Sequence, residues 1–141
     1  MTRYVVDSSV AFKWYRQPGD EEYVPQAVSI LENHLQGNSE IHVPDLLFYE
    51  LGNILRFKES LVSKDPLTIL QETFALALRI YPVDLLVAEE AFRFAHRYDI
   101  TFYDAAFIAL SYLLQASFVT ADKKLLAKVQ TLPGVLFLGN L

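Results

Sequence analysis

Five short runs dominated by branched or aromatic residues recur along the chain: RYVV at 3–6, EIHV at 40–43, RIYP at 79–82, SFVT at 117–120 and VLFL at 135–138. Helical patterns separate them. Strands that alternate with helices cannot pair as hairpins, so this order predicts a parallel α/β sheet with helices on its faces. Residues 22–36 carry Val24, Ala27, Val28, Leu31 and Leu35 on one helical face, and Gly37 ends that helix. Pro44 and Asp45 open a helix to about Glu59, and Asp65 and Pro66 open another with Leu67, Leu70, Phe74 and Ala77 as its stripe. Asp84 starts a helix to about Tyr98, with Val87, Ala91, Phe94 and Tyr98 inward. From Asp104 to Gln115 the pattern is apolar on nearly every side, which predicts a central, buried helix. A shorter helix at 8–15 follows the first strand, and another at 122–130 follows the fourth.

At 141 residues the chain is long enough for one domain with its own core, spanning 1–141. Hydrophobic residues make up 52% and charged residues 21%, a globular balance. There is no cysteine, so disulfides and thiolate metal sites are excluded. No secretory signal is read at the N-terminus. The uncharged stretch 105–121 is broken by Ser111, Gln115, Ser117 and Thr120, and reads as a buried helix and strand rather than a membrane span of about 20 apolar residues. A cytoplasmic, membrane-free protein is expected. The net charge of −5 argues against a module that coats nucleic acid by general attraction. It leaves room for a nuclease whose acidic site is neutralised by cations.

Four acidic residues stand where apolar runs end or helices begin: Asp7 in VVDSS, Glu50 in LLFYELGNIL, Asp104 in TFYDAAFIAL and Asp122 in FVTADKKLL. A carboxylate beside a core-forming run needs compensation, because a buried unpaired charge is costly. Asp7, Asp104 and Asp122 each have a plainer reading as helix N-caps, although Ser8 and Ser9 already offer caps next to Asp7. Glu50 lies one helical turn from Asn53 at the edge of an apolar stripe, which favours a polar site there. Thr120 is placed to hydrogen-bond a carboxylate; its plainer reading is an ordinary strand residue. Ligands in open α/β sheets bind beyond the carboxyl ends of strands. Hard oxygen donors at that edge select Mg²⁺ or Mn²⁺ over zinc, and two such ions activate water and stabilise the leaving oxygen of a phosphodiester. Lys13, Arg16, Arg56, Lys58, Lys123 and Lys124 follow the acids and are candidates for a phosphate-gripping rim. The three histidines lack metal spacing: His34 and His96 read as solvated helix positions, His42 as part of a strand.

VVDSSVAFKWY, VPDLLFYELGNIL, ITFYDAAFIALSYLL and FVTADKKLL, in that order, resemble the PIN domain, and most of all the VapC-type ribonuclease toxins of prokaryotes. The likeness runs from Arg3 to Val135. It implies a three-layer α/β/α domain with a central parallel sheet, and binding of Mg²⁺ or Mn²⁺ by Asp7, Glu50, Asp104 and Asp122 for RNA cleavage. Ser8, Asn53 and Thr120 match positions that support such sites. The likeness also implies a homodimer and a VapB-like antitoxin partner. Some relatives carry a further acid just after the fourth, where this chain has Lys123 and Lys124, which puts a second metal in question. The competing readings are a catalytically silent binding module of the same fold and another doubly wound protein. A dehalogenase-like phosphatase would want an acid where Ser9 stands, and a receiver domain would want an acidic pair near the first strand.

Overall fold

The computed structural model covers residues 1–141. Its centre is a five-stranded sheet in the order β3-β2-β1-β4-β5, with every neighbouring pair parallel. The strands are β1 (Thr2–Val6), β2 (Ser39–Pro44), β3 (Arg79–Tyr81), β4 (Ser117–Thr120) and β5 (Val135–Phe137). The helices are α1 (Ser8–Ala11), α2 (Val24–Leu35), α3 (Leu46–Phe57), α4 (Pro66–Phe74), α5 (Leu85–Tyr98), α6 (Phe102–Leu114) and α7 (Lys123–Val129). This is the parallel α/β sheet expected from the alternating pattern, in the three-layer α/β/α arrangement that the PIN resemblance implies.

The chain builds outward from β1 through β2 to β3, then returns to add β4 and β5 on the other side. The direction of winding therefore reverses between β1 and β4, and the crevice beyond their carboxyl ends is where such sheets bind ligands. The pairing of Val6 with Val119 fixes that crevice. One residue further on, Asp7 and Thr120 come level at the sheet edge.

α6 lies along β1, β2 and β4, with α5 packed over it. Every residue from Ala105 to Ser111 is buried, as its all-round apolar pattern predicts. The uncharged stretch 105–121 is divided between α6 and β4, and no helix is long and apolar enough to cross a membrane.

Several local expectations are corrected. The 8–15 segment is an α-helical turn at Ser8–Ala11 that tightens into a 3-10 turn at Phe12–Tyr15. α4 buries Ile69 and Thr73, while Leu67 and Phe74 of the expected stripe face outward. The buried side meets Phe12, Leu51 and Leu55 in a small second core. Thr73 is tolerated there because its hydroxyl donates to Ile69 O at 2.7 Å and bonds the Tyr15 hydroxyl at 2.5 Å. α2 buries Val24, Ala27 and Ile30, leaving Leu35 exposed. His34 is not simply solvated: its Nδ1 accepts from Ile41 N at 3.1 Å and its Nε2 bonds Leu76 O at 3.0 Å. His42 is buried in β2 and His96 is exposed.

Candidate metal centre at the switch point

Asp7 is the residue after β1. Its extended backbone makes it the N-cap of α1, with Val10 N–H donating to Oδ1 at 3.3 Å. Ser9 Oγ donates to the same oxygen at 2.5 Å, and Thr120 Oγ1 donates to Oδ2 at 2.6 Å. The side chain is buried. Burial pushes its pKa up to about 6, with a smaller push from the Asp104 charge, while the bonds from Ser9, Thr120 and Val10 oppose the rise.

Thr120 is fully buried and does more than fill a strand position. Its hydroxyl donates to Asp7 and accepts from Asp122 N–H at 3.0 Å, joining β1 to the start of α7. Ser9 makes a parallel link, its Oγ accepting from Ala121 N–H at 3.0 Å while donating to Asp7. By spacing alone Ser9 is only a spare cap. Its part in orienting Asp7 becomes visible only when β4 is laid beside β1.

Glu50 sits on the second turn of α3 and accepts from Ser8 Oγ at 3.1 Å. Burial is the main reason its pKa rises to about 7; the charges of Asp7 and Asp104 push the same way and the Ser8 bond opposes them. Asn53 makes no hydrogen bond to Glu50 and is exposed. Asp104 is not the cap of α6. Thr101 takes that position, accepting from Asp104 N–H at 3.0 Å. The Asp104 carboxylate is left half-buried on the first turn, and burial followed by the Asp122 charge raises its pKa. Asp122 caps α7 as its spacing suggests, with Oδ1 accepting from Lys124 N and Leu125 N at 3.0 and 3.1 Å.

The four carboxylates thus come from four separate segments and lie close enough for their charges to interact: Asp7 with Asp104, Glu50 with both, and Asp104 with Asp122. None of them pairs with a lysine, arginine or histidine. Much of the expected basic rim is engaged elsewhere. Lys13 is buried against Glu21 at 2.7 Å, Arg16 bonds Glu21 at 3.0 Å and the Leu61 carbonyl, and Lys123 faces Glu22 at 3.5 Å. Arg56, Lys58 and Lys124 remain unpaired.

Uncompensated hard-oxygen donors of this kind fit Mg²⁺ or Mn²⁺ in charge and chemistry. As arranged, no three acidic or histidine side chains stand within reach of one ion. That is compatible with Mg²⁺, which keeps several waters and takes one or two carboxylates directly. Buried Asp7, half-buried Glu50 and Asp104 are the residues that could hold such an ion, with Asp122 at the exposed rim.

The sequence matches the profile of the PIN domain over residues 4–131. It is 29% identical over 135 residues to Ribonuclease VapC3 of Pyrobaculum aerophilum, covering 92% of this chain and 97% of that protein. The fold is similar to the crystal structure of PAE2754 from the same organism, with a TM-score of 0.69 and 21% identity over 99% of this chain and 85% of that one. It is also similar to a chain of a toxin–antitoxin complex from Klebsiella pneumoniae, with a TM-score of 0.69 and 14% identity over 94% and 95% of the two chains. With nearly the whole sequence matched and the fold shared with these structures, the chain belongs to the PIN domain family.

Proposed function

We propose that this chain is a Mg²⁺- or Mn²⁺-dependent endoribonuclease, the toxin of a VapBC-type pair, and that Asp7, Glu50, Asp104 and Asp122 form its active site. The observation that carries this reading is the concentration of negative charge at the switch point with no protein cation to balance it. A buried carboxylate held charged at neutral pH needs a positive partner. Here the partner would have to come from outside. Divalent ions there would supply electrophilic stabilisation of an attacked phosphate and a more acidic water.

The chain's own residues would do the remaining work. Ser9 and Thr120 hold both Asp7 oxygens in fixed directions, as supporting hydrogen bonds do around metal ligands. Ser8 does the same for Glu50. With no ion bound, Glu50 has a pKa of about 7 and can take up or release a proton near neutral pH; a bound ion would hold it as the carboxylate. Asn53, exposed one turn along α3, would meet RNA rather than the carboxylates. RNA would be cut with the 3′ oxygen leaving and a 5′-phosphate product.

The partners follow from the same reading: an RNA substrate, a VapB-like antitoxin and a second copy of the chain in a homodimer working in the cytoplasm. Large apolar side chains left outside support a protein-binding face, among them Phe57, Leu67, Phe74, Leu85 and Phe92, each more than 60% exposed. The relatives that carry toxin–antitoxin names point the same way.

The absence of three donors around one point favours, on its own, the alternative of a silent binding module. The test is cleavage of a structured RNA panel in Mg²⁺ or Mn²⁺ by the wild type and Asp7→Asn. Metal-dependent cleavage by the wild type alone is expected. Equal cleavage by both would end the proposal.

A further inference from the structure

Beside the acidic crevice, a cleft of about 330 Å³ opens between the start of α3, the end of β3 and the starts of α5 and α6. Its walls carry four aromatic rings, Tyr49, Tyr81, Phe102 and Tyr103. Two of these directly precede site acids: Tyr49 precedes Glu50 and Tyr103 precedes Asp104. Tyr49 is 75% exposed and Tyr103 62% exposed, so both rings stand at the mouth. Tyr81 is fixed further in. His42 Nδ1 bonds its hydroxyl at 2.8 Å, and His42 Nε2 bonds Glu40 at 2.9 Å.

Apart from the Tyr49 and Tyr103 hydroxyls at the mouth, one polar group lines the cleft with no partner inside the chain. Asp45 holds the cap position of α3, yet its side chain makes no capping bond and no ion pair. Its carboxylate is therefore a free acceptor among aromatic faces. Of the twelve lysines and arginines, eight are already in ion pairs, leaving Arg56, Lys58, Arg97 and Lys124. A chain of net charge −5 with so few free cations gains little from gripping phosphates. Stacking on aromatic rings offers affinity that does not depend on charge.

We propose that this cleft binds one unpaired nucleobase of the RNA next to the scissile phosphate, and that Asp45 reads its amino edge. The proposal rests on the ribonuclease reading above. The volume is at the small end for ligand pockets and suits one planar heterocycle rather than a helix. Splayed bases stacked on aromatic side chains are the usual target of sequence-specific RNA readers. A carboxylate accepts from amino groups, and guanine presents two parallel N–H donors where uracil presents one imino N–H. The expected preference is guanine first, then adenine and cytosine, with uracil last.

The test is a metal-free NMR titration with GMP and UMP, run beside RNA cleavage and light scattering. Wild type should bind GMP about tenfold more tightly than UMP, and Asp45→Asn should bring the ratio close to one. Tyr103→Ala, an exposed position that should fold normally, should weaken both nucleotides about tenfold. Equal affinity for the two nucleotides, or no binding, overturns the proposal. So does a Tyr103→Ala variant that changes from dimer to monomer with nucleotide binding unchanged, because a second copy would then cover the cleft. Cleavage without base preference sinks the cleft alone. Base preference retained without metal-dependent cleavage sinks the nuclease reading and leaves the cleft standing.

Discussion

Two charged clusters grow out of the same stretch of chain and are built in opposite ways. Lys13 and Arg16 sit with Asp20 and Glu21, and each cation has an anion within 4.0 Å. Asp7, on the turn just before Lys13, sits with Glu50, Asp104 and Asp122 and has no cation at all. The first cluster is complete in itself. It pins the 17–23 loop against the 3-10 turn and requires nothing further. In the second, burial and, to a lesser degree, neighbouring acids raise the pKa of Asp7, Glu50 and Asp104, and a fold carries such frustration where another species relieves it.

The comparison breaks most sharply under Asp7→Asn. Metal-dependent cleavage should fall by about a hundredfold or more, because Asp7 is the most deeply held acid. Glu21→Gln should leave cleavage within about a factor of three, read at a temperature where the variant is fully folded. Next in size is the response to Mn²⁺. At about one hundred times Kd it should stabilise the wild type by about 2.7 kcal/mol in a thermal melt at pH 8. The shift should survive Glu21→Gln and vanish in Asp7→Asn. A shift that survives Asp7→Asn would place the ion elsewhere.

Stability should respond in the reverse order. Glu21→Gln leaves Lys13 buried without its partner and should cost about 2 kcal/mol, a value lowered from the fully buried case because Glu21 is partly exposed. The acidic site should show the opposite sign. Asp7 and Glu50 have folded-state pKa values raised to about 6 and 7. Their protonated forms are favoured by folding, so this contribution is present at low pH, below about 4, and is lost as pH rises through 6 and 7. Without metal, the melting temperature should fall between pH 5 and pH 8, and Glu50→Gln should flatten that fall. The smallest effect is Asp104→Asn, which removes repulsion from Asp122 and weakens only the side-chain bond with Thr101. It should raise the metal-free melting temperature at pH 8 by about 1–4 °C. A lower melting temperature would mean that the Asp104 charge is already compensated.

How much of the molecule is legible in its sequence depends on how local each determinant is. The strands are visible because branched residues bracketed by turns specify them locally, and SFVT at 117–120 has the observed boundaries. The buried α6 is visible because it is apolar on every side. The four acids are visible because each interrupts an apolar run. The α4 face is ambiguous because apolar residues lie on both of its sides, and only α3 and the Tyr15 hydroxyl decide between them. Thr101 in place of Asp104 as the α6 cap turns on a shift of less than one helical turn. The basic rim fails for Lys13 and Arg16 because their partners, Asp20 and Glu21, lie across a turn whose closure sequence spacing does not reveal. The role of Ser9 is hidden in the same way, since Ala121 is 112 residues away. Contacts that depend on strand order are absent from the local pattern.

The claim on which the rest depends is that a divalent ion supplies the missing positive charge at Asp7. Anomalous diffraction from crystals of the wild-type protein grown with Mn²⁺ tests it directly. The account predicts a peak within about 2.0–2.3 Å of an Asp7 oxygen, with Glu50 or Asp104 turned toward it. A well-ordered site with both Asp7 oxygens still bonded only to Ser9, Val10 and Thr120, and no peak beside them at millimolar Mn²⁺, would contradict it.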